Sequence, residues 1–279
     1  MNKSVRLREL IHSGQTLVMP DAFDALSAKI IERLGFQAVQ CSGFSIALAA
    51  FCRQEVNLSF EDNLRVTRHI AESVSVPVMA DGEDGFGDAS VIGDTIRRYI
   101  EVGVAGVNIE DQILGLPKGN AQVVDCQFMV DKITAARRAA TEAGHPDFFL
   151  NGRTDVLAAH KDRVAGLRDA IDRANRYLHA GADLAFVTGI STLEEVRLLV
   201  REIAGPVSIA AGLPNNMNLS LADLKQSGVA RVSLPVLAVF ASIRAITQTL
   251  SDVLADENFT RMAEQGMVCS MKEAAGLLS

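Results

Sequence analysis

One junction, from a helix through a glycine into a strand, recurs along the whole chain. It has a helical segment, a glycine, one or two small residues and a short β-rich run. It occurs at residues 32–43, 101–111, 179–189 and 226–235. Glycine suits the left-handed residue that ends a helix, and a short apolar run suits a strand buried on both faces. Further strands are predicted between these junctions, at residues 16–20, 76–80, 148–153 and 206–212.

Eight consecutive βα units in 279 residues predict a closed (β/α)8 barrel of the α/β class. An open doubly wound sheet is the alternative. It is disfavoured because no GxGxxG motif follows an early strand and because the glycine junctions continue throughout the chain. No linker divides the sequence, so we interpret residues 1–279 as one domain. Residues 245–279 exceed what the eighth helix needs, and we expect them to form a helical extension that caps the barrel or packs on a neighbouring subunit.

Charge and cysteine content narrow the class of protein. The formal net charge of −7 disfavours a nucleic-acid or anionic-membrane partner. The four cysteines are widely spaced and form no CxxC pair, as is usual for reduced thiols in the cytosol. The N-terminal segment lacks the apolar core of a signal peptide, and no run of about 18 apolar residues suggests a membrane span. We therefore expect a cytoplasmic protein.

Acidic residues dominate the ends of predicted strands 3 and 4. The segment "ADGEDGFGD" (80–88) places Asp81 and Glu83 after strand 3, and Glu110 ends strand 4. Catalytic groups of such barrels lie at the carboxyl ends of the strands. Three carboxylates there form a hard oxygen site that suits Mg2+, with Mn2+ as an alternative, and the cation would offset their repulsion. The other reading is that these acids pair with lysines or cap helices.

Three further features suit a small anionic ligand. The turn "CSGFS" (41–45) offers backbone amides that could hold a carboxylate. Arg153, at the end of strand 5, could bind a carboxylate with its guanidinium fork or stabilise an enolate, or it could pair with Asp155 or Glu110. The loop 114–122, which carries Lys118 and Asn120, is either a lid over the site or an ordinary surface loop.

From about residue 5 to 250, the chain resembles the isocitrate lyase/phosphoenolpyruvate mutase superfamily. The resemblance is carried by "MPDAFDALSAKIIERLGFQAV", "SGFS", "VPVMADGEDGFGD", "GVAGVNIEDQ", "FFLNGRTD" and "AGADLAFV". It implies a homotetramer of barrels with C-terminal helices swapped between subunits. It also implies Mg2+-dependent binding of a 2-oxo or 2-hydroxy carboxylate, and cleavage or formation of a C–C or P–C bond through an enolate-like intermediate.

The resemblance also assigns roles to individual residues. Asp81 matches the closest metal partner, Glu83 stands where the second metal-shell aspartate is usual, and Glu110 matches the third acid. Arg153 matches the substrate-binding arginine. The turn whose amides hold the substrate carboxylate matches Ser42, Gly43 and Phe44.

Departures from the family pattern bear on the reaction. The family lyases that cleave isocitrate or 2-methylisocitrate carry a K-K-C-G-H loop whose cysteine acts as general acid. This chain has "LGLPKGN" there, with neither cysteine nor histidine, which argues against that activity. "PKGN" is similar to the P-K-x-N gating loop of phosphonopyruvate mutases, which implies catalytic roles for Lys118 and Asn120. The aspartate of those enzymes after strand 2 falls at Gln54. Their strand-6 histidine falls at Thr188, which would then face the substrate.

The leading hypothesis is a Mg2+-dependent lyase that cleaves a C–C bond of a small 2-oxo or 2-hydroxy carboxylate and releases a pyruvate-like enolate. The alternative within the superfamily is a phosphonopyruvate mutase or hydrolase, which acts on a P–C bond. The alternative from another class is a non-catalytic, ligand-binding barrel. The retention of Asp81, Glu110 and Arg153 together argues against this last hypothesis.

Overall fold

The computed structural model of the chain describes residues 2–117, 119–212, 216, 218–256 and 259–277. Its eight parallel strands close a barrel in chain order, which confirms the predicted architecture and excludes the open sheet. The strands are β1 (Leu17–Ala22), β2 (Val39–Cys41), β3 (Val78–Asp81), β4 (Gly106–Glu110), β5 (Phe149–Thr154), β6 (Leu184–Val187), β7 (Val207–Ala210) and β8 (Arg231–Leu234).

Helices follow the strands and cover the outside of the barrel. A short 3-10 helix, Glu55–Asn57, lies between α3 and α4. The α-helices are α1 (Lys3–Ile11), α2 (Ala25–Arg33), α3 (Gly43–Phe51), α4 (Phe60–Ser73), α5 (Ile92–Glu101), α6 (Cys126–Glu142), α7 (Val156–Ala159), α8 (Arg163–His179), α9 (Leu193–Glu202), α10 (Leu221–Gln226), α11 (Leu237–Asp256), α12 (Thr260–Glu264) and α13 (Met271–Gly276).

The four junction glycines have the left-handed conformation that the sequence pattern predicts. The angle φ is 91° at Gly35, 81° at Gly103, 111° at Gly181 and 79° at Gly228. Side chains with a Cβ rarely adopt these angles. Each glycine therefore ends its helix and turns the chain towards the next strand.

The interior of the barrel is polar in its middle. Arg231 of β8 is fully buried and contacts Gln40 of β2 and Met79 of β3, neither of which belongs to a neighbouring strand. Its side chain therefore crosses the interior. Asn108 and Asn151 are buried beside it, so polar side chains connect the middle of the barrel with its carboxyl end.

Helix α11 continues through residue 245, and α12 and α13 follow it. One side of α11 packs on β1, while apolar side chains on its other side are exposed. Within the described residues, Leu237–Ala255 has the length and apolar composition of a membrane span, at a mean hydropathy of 1.2. Arg244 and Asp252 lie within this window, so it is not an uninterrupted apolar run.

Candidate active site

Three carboxylates converge at the carboxyl end of the barrel. One carboxylate oxygen from each of Glu55, Asp81 and Glu83 lies within 4.8 Å of the other two. Asp81 is the last residue of β3, Glu83 follows it by two residues, and Glu55 begins the 3-10 helix after α3. We refer to these three residues as the acid cluster. Two of its members were predicted from the sequence, and Glu55 was missed.

Glu83 is the most constrained member of the acid cluster. Its side chain is buried, and neither carboxylate oxygen has a hydrogen-bond partner among the described residues. Its φ of 48° lies in the left-handed region, which costs a residue with a Cβ roughly 1–2 kcal/mol. Strained backbone and unsatisfied buried polar atoms are typical of ligand sites.

Gly43 permits the close approach of α3 to the acid cluster. A Cβ at this position would lie 1.5 Å from Glu83 Oε1, so no other residue fits without displacing that carboxylate. The Gly43 amide donates to Asp81 Oδ2 at 2.9 Å. The backbone of the next residue, Phe44, opposes the rise in the pKa of Glu55. The predicted turn thus lies at the site, and in this structure the Gly43 amide binds one of the protein's own carboxylates.

The other groups of the turn hold α3 in place. Ser42 caps the helix by accepting a hydrogen bond from the Ser45 amide at 3.2 Å. The Ser45 hydroxyl donates to Asp21 Oδ2 at 2.7 Å. The Phe44 ring is exposed and meets the edge of Phe240, with ring centroids 6.1 Å apart. The start of α11 therefore lies beside the turn.

Asp81 is oriented by donors on three sides. Besides the Gly43 amide, Asn108 Nδ2 donates to Asp81 Oδ1 at 3.3 Å. The Asn63 amide group and the Tyr99 hydroxyl both donate to the Asp81 backbone carbonyl at 3.0 Å. Such outer contacts fix the direction in which a ligating carboxylate points.

Burial and mutual repulsion shift the acids towards their neutral forms. Burial raises the pKa of Glu83 well above its usual value, and the charges of Asp81, Glu55 and Glu110 raise it further, while Arg153 opposes them. Burial and Asp81 raise the pKa of Glu55 to about 7. A cation placed among these groups would reverse both effects.

Glu110 lies beside the acid cluster and is paired with Arg153. Arg153 Nη1 lies 2.6 Å from Glu110 Oε2, an ion pair without hydrogen-bond alignment. The fork of Arg153 faces the other way, with Nε and Nη2 donating to Asp155 at 2.7 and 2.9 Å. Both pairs that the sequence left open for Arg153 are therefore formed. Among the described residues, the three carboxylates close enough to share a metal ion include Glu55 and not Glu110.

Thr188 lies behind this ion pair. Its hydroxyl donates to Asp155 Oδ1 at 2.7 Å, and Asp155 in turn holds the fork of Arg153. The structure thus places Thr188 next to the partner of Arg153, at the end of β6. From there it affects the guanidinium through Asp155.

The loop after β4 folds back on itself beside the acid cluster. Gln112 and Val123 form an antiparallel bridge, and the Ile113 amide donates to the Gln122 carbonyl at 3.0 Å. Gly115 sits against Val56 of the 3-10 helix, since a Cβ there would lie 3.0 Å from Val56 Cγ2. The loop therefore adjoins the segment that carries Glu55.

Of the two loop residues predicted to be catalytic, Asn120 is exposed, and its amide donates to the Pro117 carbonyl at 3.0 Å. Lys118 lies outside the described residues. Beyond the paired base of the loop, Pro117, Gly119 and Asn120 are exposed.

A divalent cation fits the acid cluster by its donor chemistry. All the side-chain donors are carboxylate oxygens, which hard cations such as Mg2+ and Mn2+ prefer. The two buried, unpartnered oxygens of Glu83 give such an ion acceptors that no described side chain uses. Glu55, Asp81 and Glu83 would hold it, with Glu110 next to them.

Comparisons with a family profile and with known proteins all indicate the same family. A profile of the phosphoenolpyruvate phosphomutase family matches residues 7–254. The chain is 33% identical over 209 residues to 2,3-dimethylmalate lyase of Eubacterium barkeri, covering 74% of this chain and 70% of the relative. It is 30% identical over 255 residues to 2-methylisocitrate lyase of Escherichia coli K12, covering 90% and 83%.

A solved structure of phosphonopyruvate hydrolase in complex with oxalate and Mg2+ superposes with a TM-score of 0.86 at 27% identity, covering 100% of this chain and 95% of that one. The 2,3-dimethylmalate lyase has itself been described as a member of the phosphoenolpyruvate mutase/isocitrate lyase superfamily. The matched profile spans all eight strands of the barrel. This chain belongs to the phosphoenolpyruvate phosphomutase family of that superfamily.

Proposed function

We propose that the protein is a lyase that cleaves a C–C bond of a small 2-oxo or 2-hydroxy carboxylate through an enolpyruvate-like intermediate, with Mg2+ as cofactor and Mn2+ as an alternative. The observation that carries the proposal is the acid cluster at the carboxyl end of the barrel, with both oxygens of Glu83 buried and unpartnered. Barrel enzymes place their chemistry at that end. The names of the relatives, dimethylmalate lyase and methylisocitrate lyase, support C–C cleavage.

The residues of the site fall into two groups: those that hold the cation and those that bind the substrate. Glu55, Asp81 and Glu83, with Glu110 beside them, hold the cation, which supplies polarisation of the substrate's carboxylate and C2 oxygen when bound. Ser42, Gly43 and Phe44 form the turn against which the substrate carboxylate lies. A carboxylate that binds the Gly43 amide competes with Asp81 for it.

Arg153 is the group placed to stabilise negative charge as the bond breaks. Its side chain is 21% exposed, and its position is fixed by Asp155 on one side and Glu110 on the other. A preorganised cation of this kind stabilises an enolate without reorganising at the moment of reaction. Thr188 keeps Asp155 in position, and Lys118 and Asn120 are proposed to close the loop over the site.

The first test is a ligand screen with a matched activity assay. The purified protein is heated with small 2-oxo and 2-hydroxy acids, each with and without Mg2+, and the melting temperature is recorded. Hits are incubated with Mg2+ and the release of a 2-oxo acid is followed. Metal-dependent stabilisation and turnover are expected in the wild type, and Asp81→Ala should abolish both. If no acid stabilises the protein in a Mg2+-dependent way, the non-catalytic barrel becomes the better reading.

Chemistry at a P–C bond is the second candidate. It is favoured by the "PKGN" loop and by the close superposition on phosphonopyruvate hydrolase. Incubation with phosphonopyruvate, followed by 31P NMR, separates the two reactions. A phosphate signal indicates a hydrolase, a phosphoenolpyruvate signal indicates a mutase, and an unchanged spectrum leaves the C–C lyase.

We further propose that the protein acts in the cytoplasm as a homotetramer that exchanges C-terminal helices between subunits. Support comes from α11, where Ile246, Leu250 and Leu254 are all more than half exposed. Burying such side chains against another subunit removes apolar area from water. Light scattering during gel filtration should give four times the 29.9 kDa mass of the chain. Leu250→Asp should dissociate the assembly, whereas a monomeric wild type would contradict the proposal.

A further inference from the structure

Arg231 is a buried cation that forms no ion pair with any described residue. Its side chain is fully buried, and its guanidinium lies 4.9 Å from the centre of the Phe186 ring. Nη2 donates to Gln40 Oε1, and Nε has no partner among the described residues. Burial lowers the pKa of Arg231 to about 9, and Asp81 is the acid whose charge opposes this shift. The group stays protonated at neutral pH.

Two asparagine amides connect this cation with Asp81. Asn108 Nδ2 donates to Asp81 Oδ1 at 3.3 Å, and Asn151 Nδ2 donates to Asn108 Oδ1 at 2.7 Å. Arg231 Nη1 lies 2.9 Å from the same side-chain atom of Asn151. The four side chains thus form a row from the middle of the barrel to the acid cluster.

The two ends of this row require opposite amide orientations. When Asn151 Nδ2 donates to Asn108, the same Nδ2 group also faces Arg231 Nη1, and both of these groups are donors. When Asn151 turns over, its oxygen accepts from Arg231 Nη1 at 2.9 Å and its Nδ2 donates to the Leu184 carbonyl at 3.3 Å. Two amide oxygens then face each other, unless Asn108 turns as well and withdraws its donor from Asp81. Arg231 and the Asp81 carboxylate therefore compete for the orientation of one pair of amides.

We propose that Arg231 is a positioning residue for Asp81, acting through Asn151 and Asn108. This inference rests on the proposed function, since it concerns the metal that Asp81 would hold. With a cation held by Asp81, that carboxylate would no longer need the Asn108 donor, and Asn108 would be free to turn. Asn151 would then turn as well and accept a hydrogen bond from Arg231. Because Arg231 would gain this bond only with the metal bound, the bond would contribute to metal affinity.

The test is calorimetric titration of the metal-free protein with Mg2+, repeated with Mn2+. Arg231→Lys keeps the charge but loses the planar fork that reaches Asn151, so it separates positioning from charge. We expect it to weaken Mg2+ binding about 10-fold to 100-fold, the range for partners that orient a ligating residue. Asn151→Leu, which cuts the row in its middle, should weaken binding to a similar extent. The double variant should be no weaker than either single variant, because both changes remove one coupling.

Arg173→Lys is the matched control. Arg173 is also a buried arginine, but it lies on α8 and pairs with Asp111, and none of its contacts among the described residues is with the row. It should alter the melting temperature and leave Mg2+ affinity unchanged. The proposal is overturned if Arg231→Lys binds Mg2+ as the wild type does, or if the effects of Arg231→Lys and Asn151→Leu add in full. A wild type that binds neither metal overturns the proposed function instead. If Arg231→Lys does not fold, Asn151→Leu with wild-type affinity decides against the proposal.

Discussion

Asp111 and Glu83 are both buried carboxylates at the carboxyl end of the barrel, yet their surroundings differ. Asp111 accepts hydrogen bonds from the Tyr177 hydroxyl at 2.8 Å, the Thr154 hydroxyl at 2.7 Å and Arg173 at 3.1 Å. The Asp155 backbone amide donates to the other oxygen, Asp111 Oδ1, at 2.9 Å. Glu83 has no such partner among the described residues.

The difference separates a structural acid from a binding acid. Burial raises the pKa of both groups, but at Asp111 the hydrogen bonds from Asp155, Thr154 and Tyr177 oppose the rise. At Glu83 the neighbouring carboxylates add to it. The hydrogen bonds of Asp111 thus offset the free-energy cost of burying its carboxylate. At Glu83 a bound cation would have to offset that cost.

The largest expected effect on stability follows removal of the structural acid. Asp111→Ala removes the buried anion of Arg173, which keeps only the more exposed Asp169. It also leaves the Thr154 and Tyr177 hydroxyls without their acceptor, so the free energy of unfolding should fall by about 3–5 kcal/mol. Urea denaturation in metal-free buffer measures this. Glu83→Gln, measured in the same buffer, should not destabilise the protein, since it removes repulsion and no hydrogen bond. Equal losses in the two variants would show that the contrast between the acids is wrong.

The next largest effect is a pH-dependent change in stability on replacing Glu55, which tests whether the acid cluster is repulsive. The pKa of Glu55 is raised from 4.5 to about 7 in the folded protein, so ionising it costs stability as the pH rises through that window. Glu55→Gln should therefore stabilise the metal-free protein at pH 8, by on the order of 2–3 kcal/mol. Below about pH 4.5 both side chains are neutral and the difference should disappear.

Melting curves in chelator from pH 4 to 8 test this prediction. Mg2+ should reverse the order of the two proteins at pH 8, because only the wild type offers the third carboxylate. Gln54→Glu is a suitable control, since it adds an acid one residue away at an exposed position. A pH-independent difference would count against a repulsive cluster.

The fold was predictable because its signals are local. Each junction glycine had to adopt positive φ, and the apolar runs beyond the junctions had to be buried strands, so all eight strands could be located before any tertiary contact was known. Strand ends were less certain. Residues 206–212 were predicted as one strand, whereas β7 ends at Ala210, because pairing with β8 stops there.

The site was predictable only where it follows a strand directly. Asp81 and Glu110 end β3 and β4, so their positions follow from the barrel. Glu55 lies on a 3-10 helix after α3, and the family aspartate was placed one residue earlier, at Gln54. Only the tertiary structure shows that Glu55 turns to the acid cluster while Gln54 is exposed. Arg231 was missed because an arginine in a buried strand shows no local sign of what it faces.

A smaller effect is expected from the residue that supports Arg153. Thr188→Val removes the hydroxyl that donates to Asp155 Oδ1, which should cost about 1 kcal/mol of stability. Because Asp155 then holds the guanidinium less firmly, kcat/KM should fall roughly fivefold, as an energy of that size implies. Thr188→Ser keeps the hydroxyl and should restore the wild-type rate. If the serine variant is as slow as the valine variant, Thr188 acts through packing or through direct contact with the substrate.

The smallest effect on stability is expected in the loop after β4, where a substitution can change turnover without changing stability. Asn120 is exposed, so Asn120→Ala should change the free energy of unfolding by less than about 0.5 kcal/mol. A lid residue that reaches the substrate only when the loop closes still affects the reaction, so kcat/KM should fall while the melting temperature stays constant. Gln122→Ala, at another exposed position of the same loop, is the matched control and should change neither quantity. Unchanged turnover in Asn120→Ala would make this an ordinary surface loop and would confine the chemistry to the strand ends.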